Sequence, residues 1–236
     1  MDNAMILSGT PAIAPGCVAL TYDDGPGPRS AELAQSLREE GVSATFFVLG
    51  ESIKRYGPVL QAYADYGHTI GLHSEYHRPF SSVALAADQL GKCRKRVEHH
   101  LGPDYFSDTI WHRPPYGVGD EPVPGYAGPV GWHASGRDWD ITYRRDDVLR
   151  PPSNPRPHQT VAGCVDEIFV GLQRFGGGVV LLHDFAPFTE FTAGGLAEAD
   201  LDLQVIDITM LLLRRLRDAG FTFVSLSDPA PAGRGG

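Results

Sequence analysis

Short apolar segments alternate with amphipathic helical segments along almost the whole chain, and this alternation restricts the fold more than any other sequence feature. Helices with one apolar face are predicted at 30–40, 51–66, 83–100, 161–175 and 205–219. Strands are predicted at 18–22, 45–49, 69–73, 109–112, 130–133, 178–183 and 221–226. Because strands separated by helices pair in parallel, the sequence predicts one α/β domain. The alternation alone leaves a barrel and an open wound sheet as alternatives.

The composition is that of an ordinary globular protein and argues against several kinds of partner. The chain has 236 residues, enough for one large domain with a substantial core, and a formal net charge of −9. That charge argues against a nucleic acid or an anionic membrane as the main partner. The sequence contains no apolar stretch of about 18 residues, so no membrane-spanning helix is expected.

The N-terminus and the cysteines bear on localisation. Residues 1–16 lack the basic start and the apolar core of a secretory signal. Cys17, Cys93 and Cys164 are odd in number and widely spaced, which favours reduced thiols over a disulfide framework. We therefore expect a cytoplasmic protein. Its catalytic domain is expected at 17–228, between an N-terminal segment at 1–16 and a flexible tail at 229–236.

Two adjacent carboxylates, Asp23 and Asp24, follow the first predicted strand, and Gly25-Pro26 then turns the chain. In α/β folds with parallel strands, active sites form at the C-terminal ends of the strands. Both carboxylates are therefore candidates for catalysis or metal binding. The alternative is an Asp-Asp-Gly turn with a capping role.

Two histidines, His73 and His77, lie four residues apart at the end of another predicted strand. On a helical turn this spacing puts both side chains on one face, so both rings can reach one ion. Neutral imidazole is a common ligand of zinc and similar metals, and Asp24 is a candidate third ligand. Such a set leaves positions open for water and substrate. The alternative is a pair of surface histidines.

Further polar residues lie at or near other predicted strand ends. They are His183, Arg113-Pro114-Pro115-Tyr116 and the segment from Trp132 to Trp139. Taken singly, each has a structural alternative: a structural histidine, a proline-rich turn with an exposed arginine, and a polar loop between two core tryptophans.

Taken together and in order, these segments resemble the five motifs of the polysaccharide deacetylase family, the NodB-homology domain of carbohydrate esterase family 4. The matching segments are Thr21-Tyr22-Asp23-Asp24-Gly25-Pro26, His73-Ser74-Glu75-Tyr76-His77, Arg113-Pro114-Pro115-Tyr116, Trp132 to Trp139 and Leu181-Leu182-His183. The resemblance spans residues 17–228 and implies a distorted (β/α)7-type barrel, a single α/β domain. The sequence departs from the family at Ser135, where members usually have Asp, and at Tyr22, which replaces Phe.

The resemblance also implies a role for each matching residue. Asp24, His73 and His77 are expected to hold one divalent metal ion, Zn²⁺ first, with Co²⁺, Ni²⁺ or Mn²⁺ as alternatives. Asp23 is the expected general base for the attacking water, and His183 the expected general acid for the leaving amine. Arg113 is expected to pair with Asp23, and Asp138 is expected to orient His183. The backbone N–H of Tyr116 is expected to bind the oxyanion. Trp139 and Leu181 are expected to line the acetyl pocket.

The activity that these roles imply is metal-dependent N-deacetylation. We expect a small substrate, such as an N-acetylated amino sugar, glycoside or natural-product intermediate, because the segments 140–160 and 184–203 are long. Within the second segment, Phe185, Phe188 and Phe191 are expected to cover the site partly, with Gly194-Gly195 as a hinge. The alternatives are a deacetylase of polymeric chitin or peptidoglycan, a deformylase or cyclic-amide hydrolase, and a non-catalytic carbohydrate-binding relative. The sequence predicts no oligomeric state.

Overall fold

The computed structural model describes residues 4–107, 109–139, 160–185 and 204–227. Its strands are β1 (Cys17–Asp23), β2 (Thr45–Val48), β3 (Thr69–Leu72), β4 (Ala134–Ser135), β5 (Gly178–His183) and β6 (Thr222–Phe223). Every pairing between these strands is parallel, in the order β3-β2-β1-β5-β4, with β6 beside the start of β1. The parallel sheet predicted from the alternation is therefore present.

Helices follow or precede the strands as the alternation predicts. They are α1 (Ser30–Glu39), α2 (Gly50–Tyr56), α3 (Val59–Asp65), α4 (Val83–Leu101), α5 (Val161–Phe175) and α6 (Val205–Asp218). The prediction of a single helix at 51–66 is wrong, because Gly57 and Pro58 separate α2 from α3. A proline has no N–H to donate, and its ring clashes with the carbonyl four residues earlier, so a helix breaks there.

The sheet closes through two irregular segments rather than through regular strands. The N–H of Arg113 donates to Leu72 O (3.0 Å), that of Val130 to His112 O (3.0 Å), and that of His133 to Val179 O (2.8 Å). Residues 111–113 and 130–135 thereby connect β3 to β5 and complete a distorted barrel.

The predictions of regular strands at 109–112 and 130–133 are therefore wrong. The first segment makes only isolated bridges, and Trp132 pairs with Met5 of the N-terminal segment, so regular pairing with β5 begins at Ala134. The last strand is also shorter than the predicted 221–226.

Side chains alternate between the two faces of the barrel wall, and this alternation positions the site. On the outer face, Val18, Leu20 and Tyr22 pack in the main core beneath the helices. On the inner face, an apolar cluster fills the barrel and consists of Ala19, Phe47, Val130, Val179 and Leu226. Further along the same inner face, β1 carries Thr21 and ends at Asp23, while β5 carries Leu181 and ends at His183.

Two remaining sequence expectations concern the cysteines and membrane-spanning helices. All three cysteines lie in the described part of the chain and are free thiols, two of them buried. Among the described helices, none combines the length and the apolar composition needed to cross a membrane. The domain bounds and the cytoplasmic location remain predictions, and the tail at 229–236 lies outside the described residues.

Candidate active site

The candidate active site lies at the C-terminal ends of the parallel strands. Asp23 and His183 are paired in register on neighbouring strands β1 and β5, so their side chains reach the same level of the barrel. His73 follows β3 directly, and its N–H donates to Val48 O at the end of β2. Parallel pairing therefore brings together residues that lie up to 160 positions apart in the sequence.

The side chains of Asp24, His73 and His77 form a candidate metal centre. Oδ1 of Asp24 lies 3.4 Å from Nε2 of His73 and 3.4 Å from Nε2 of His77. The three atoms all lie within 4.8 Å of one another, and no other such group of His, Cys, Asp or Glu occurs among the described residues. Oδ1 of Asp24 is buried and has no hydrogen-bond partner, a costly arrangement for a carboxylate unless a cation binds it.

The protonation state of His73 also fits a metal ligand. Nδ1 of His73 lies 2.8 Å from the carbonyl oxygen of Arg113, which can only accept a hydrogen bond, so Nδ1 carries the proton. The lone pair of Nε2 is then directed at Asp24 and His77. Burial lowers the pKa of His73 to about 3, so the ring is neutral at physiological pH. One carboxylate oxygen and two imidazole nitrogens fit a divalent cation such as Zn²⁺.

The second carboxylate of the pair, Asp23, binds a buried arginine. Nη1 of Arg113 donates to Oδ1 of Asp23 at 2.7 Å, while Nε and Nη2 donate to the carbonyl oxygens of Val130 and Gly131. The guanidinium lies 4.4 Å from the ring centre of Phe47 and is fully buried. Because three contacts fix Arg113, one oxygen of Asp23 is held in place and the other, Oδ2, lies 3.7 Å from Nε2 of His73.

On the opposite side, His183 is held by Asp138. The carboxylate accepts from the backbone N–H of His183 at 2.6 Å and lies 3.1 Å from its Nδ1. Burial by itself disfavours the imidazolium, but the charge and hydrogen bond of Asp138, with smaller contributions from Asp24 and Asp23, raise the pKa of His183 to about 9. The ring is therefore charged at neutral pH, so Nε2 carries a proton as well as Nδ1.

The three residues expected to contact substrate lie around this centre. The ring of Tyr116 lies 4.3 Å from that of His77, and its side chain is 54% exposed. The ring of Trp139 lies 5.3 Å from that of His183 at an angle of 83°. Leu181 is buried two residues before His183 on the same face of β5, level with Thr21 and Ser135. All ten residues singled out in the sequence thus lie at one end of the barrel.

Comparison with known proteins identifies the family. The family model for polysaccharide deacetylase matches residues 12–133. A chitin deacetylase of Colletotrichum lindemuthianum is 34% identical over 231 residues, which cover 93% of this chain and 83% of that protein. The chain belongs to the polysaccharide deacetylase family. A peptidoglycan-N-acetylglucosamine deacetylase of Bacillus cereus is 40% identical over 168 residues, 71% of this chain and 59% of that protein. The chain spans only 38% of the length of the PgdA deacetylases of Listeria monocytogenes, to which it is 28% identical.

Solved structures of the family have the same fold. The catalytic domain of a peptidoglycan N-acetylglucosamine deacetylase from Eubacterium rectale superposes with a TM-score of 0.65 at 22% identity, covering 95% of this chain and 96% of that chain. The Bc1960 peptidoglycan deacetylase gives a TM-score of 0.69 at 22% identity, covering 91% and 88%. The predicted family and the single-domain distorted barrel are therefore confirmed, and the matching relatives are named as deacetylases, a class of hydrolases that cleaves amide bonds. The individual roles of the site residues remain predictions.

Backbone strain coincides with the family motifs. The described non-glycine residues with positive φ are Asp24 (73°), Ser74 (101°), Tyr116 (57°) and Arg137 (55°). Each is a motif residue, and each either belongs to the site or adjoins one of its residues. Non-glycine residues adopt this conformation at a cost, and they keep it only where the surrounding contacts hold them.

Two buried acidic residues near the site were given no role in the sequence analysis. Asp184 accepts a hydrogen bond from the hydroxyl of Tyr63 at 2.5 Å, and burial raises its pKa to about 6. Glu75, between the two candidate histidine ligands, is buried against Arg96 and Lys54. The signal for Glu75 is weak in the sequence because an acidic residue after a strand normally faces solvent.

The expected covering loops fall mostly outside the described residues. Phe188, Phe191, Gly194-Gly195 and residues 140–159 all lie in the parts that the structure does not describe. Phe185 is described: it is buried, and its ring lies 5.6 Å from that of Tyr56 at an angle of 77°. It also contacts Gly27, where a Cβ atom would come within 2.6 Å of its ring.

Proposed function

We propose that this chain is a metal-dependent N-deacetylase that removes acetyl groups from N-acetylated amino-sugar units of a saccharide chain. The observation that carries the proposal is the buried, unpartnered Oδ1 of Asp24, which faces the Nε2 atoms of His73 and His77. Two further pairs lie beside it. The carboxylate of Asp23 binds Arg113, and the imidazolium of His183 binds Asp138. Amide hydrolysis needs these groups together: a cation, a base and an acid.

The relatives favour a saccharide chain over the small enclosed substrate expected from the sequence. A chitooligosaccharide deacetylase of Rhizobium leguminosarum matches over 89% of this chain and 89% of its own length, at 27% identity. Chitin and peptidoglycan deacetylases also match. The small-substrate expectation depended on two long loops that lie mostly outside the described residues. The exposed ring of Tyr116 beside His77 is compatible with a sugar that binds along an open surface.

In the proposed mechanism, Asp23 is the general base. Its contact with the buried guanidinium of Arg113, at 2.7 Å, fixes its orientation. Oδ1 is occupied by Arg113, so Oδ2 is the oxygen that accepts a proton from the attacking water. A divalent cation held by Asp24, His73 and His77 would supply Lewis-acid polarisation of the acyl carbonyl and would make water more acidic.

His183 is the proposed general acid. Amines leave as neutral molecules only if the nitrogen is protonated as the C–N bond breaks. Asp138 binds Nδ1 of His183, so the proton to be transferred is on Nε2, and the pKa of about 9 keeps it there at neutral pH. We assign the backbone N–H of Tyr116 to the developing oxyanion, and Trp139 and Leu181 to the walls around the acetyl methyl group.

The proposal is tested by acetate release from N-acetylglucosamine, its oligomers of increasing length, chitin and peptidoglycan. The enzyme is first stripped of metal and then reloaded with Zn²⁺, Co²⁺, Ni²⁺ or Mn²⁺ in parallel, and His77→Ala is the control for metal-independent hydrolysis. We expect metal-dependent release that is faster from oligomers than from the monosaccharide. Release mainly from the monosaccharide would favour a small substrate. Binding of metal and oligomers without any release would indicate a non-catalytic relative.

A further inference from the structure

A buried ionic cluster lies directly behind the candidate metal centre. Glu75, between His73 and His77 in the sequence, has a side chain only 2% exposed. Nε of Arg96 on α4 donates to Oε2 at 2.8 Å, and Nη2 donates to Oε1 at 2.6 Å, so the contact is bidentate. Nζ of Lys54 on α2 lies 3.2 Å from Oε1. One buried carboxylate thus joins the loop between the two histidines to two different helices.

A contribution to folding stability does not by itself explain this ionic cluster. Removing a carboxylate from water is costly, and buried ion pairs often stabilise a fold no better than apolar side chains of the same size. The well-attested use of such pairs is to fix one arrangement among alternatives. Arg96 and Lys54 keep about a third of their side chains exposed, so both can be rehydrated if the carboxylate is removed.

The loop that carries the histidines needs such fixing. Ser74 has a φ of 101°, which a side-chain-bearing residue holds only under constraint from its surroundings. Two backbone contacts restrain the loop, from the N–H of Gly50 to Ser74 O and from the N–H of Glu51 to Glu75 O, both at 3.0 Å. Gly50 is also required sterically, because a Cβ there would lie 2.0 Å from Oε2 of Glu75.

We propose that Glu75 is a positioning residue, which holds His73 and His77 at the spacing that a divalent cation requires by fixing their loop to α2 and α4. The inference rests on the metal site of the proposed function, but not on the identity of the substrate. Glu75 contacts neither the cation nor the substrate in this proposal. Its effect is to reduce the reorganisation that the loop undergoes when the ion binds.

The test measures Zn²⁺ affinity by competition with a chromogenic chelator, on the full chain stripped of metal. Glu75→Gln keeps the size of the side chain and removes its charge, and we expect Zn²⁺ to bind about 10-fold more weakly, as for other residues that orient metal ligands. Arg96→Lys keeps the charge but not the bidentate contact and should give an intermediate loss. The matched control is Glu98→Gln, which breaks a 2.6 Å pair with Arg94 on the same helix α4. It should leave the affinity unchanged.

The thermal unfolding of each metal-free variant separates positioning from general destabilisation. The proposal expects Glu75→Gln and Glu98→Gln to have similar melting temperatures but different Zn²⁺ affinities. Equal affinities in wild type, Glu75→Gln and Arg96→Lys would overturn it while leaving the metal site intact. A wild type that binds no Zn²⁺ would instead refute the metal site of the proposed function. If Glu75→Gln does not fold, the comparison of Arg96→Lys with Glu98→Gln decides.

Discussion

Replacement of Asp138 by Asn tests how the candidate acid is charged. The change keeps the shape of the side chain and one acceptor oxygen, so the backbone N–H of His183 can still be bound. It removes the negative charge next to Nδ1 of His183, which in the wild type lies 3.1 Å from Oδ1 of Asp138. Among the influences on His183, Asp138 provides the largest contribution that raises its pKa. Burial, which lowers the pKa, then dominates in the variant.

The magnitude follows from the pKa of His183, which lies at about 9 against an ordinary value of 6.5. At pH 7 nearly all His183 is charged in the wild type, but at most about a quarter would be charged at the ordinary value. The loss of charge alone therefore costs at least about fourfold in rate. Loss of orientation adds to this, up to the factor of about 10²–10⁴ that a general acid contributes.

The same pKa predicts how stability depends on pH. Because the folded-state pKa is raised, the stabilisation is fully present below pH 6.5 and is lost as the pH rises through about 9. Its size is about 3 kcal/mol, at about 1.4 kcal/mol for each pKa unit. In metal-free protein, the difference in unfolding free energy between wild type and Asp138→Asn should therefore be largest in mild acid and should shrink at high pH.

The assay is the pH profile of kcat/KM with an N-acetylglucosamine oligomer. The alkaline limb of the wild-type profile should move to lower pH in Asp138→Asn, while the acid limb stays in place. These groups interact, so the apparent pKa values belong to the whole site. An aryl acetate, whose leaving group needs no proton, should be cleaved almost equally well by both enzymes. An unmoved alkaline limb, or an equal loss on the aryl ester, would refute the assignment of His183 as an acid charged by Asp138.

Three further predictions concern the base, the metal and the turn beneath them. Asp23→Asn should keep its bound metal, measured by elemental analysis, and lose about 10²–10⁴-fold in rate; loss of metal would mean that the two aspartates exchange roles. His77→Ala should lose metal content and activity together, and full activity after exhaustive chelation would contradict a metal centre. Gly25→Ala places a Cβ 2.2 Å from Oδ2 of Asp184 and should cost about 1–3 kcal/mol in urea unfolding. Gly91→Ala, in an open position of α4, is its control and should be neutral or stabilising.

The sequence predicts the site better than it predicts the barrel wall. Asp24, His73 and His183 could be found because each lies at or directly after the end of a largely apolar strand, where parallel strands bring distant residues together. The segment 130–133 has the same apolar character, yet Trp132 pairs with Met5, a contact between distant residues that no local pattern records. Pro58 is a helix-breaking residue, but the apolar residues on both sides of it keep helical spacing, and this spacing favours one continuous helix.

The distribution of partners among the buried carboxylates explains why a cation would bind at one of them. Asp23 has the guanidinium of Arg113, and Asp138 has the imidazolium of His183. Oδ2 of Asp184 accepts from Tyr63, while its Oδ1 lacks a partner as Oδ1 of Asp24 does. Burial raises the pKa of Asp184 to about 6, however, so a proton can reduce its charge. Oδ1 of Asp24 has no hydrogen-bond donor, and it faces Nε2 of His73, whose ring is neutral, and Nε2 of His77. A divalent ion there would offset the cost of the buried charge. This charge pattern agrees with the proposed roles, in which Asp24 binds the metal and Asp23, one residue earlier, acts on water.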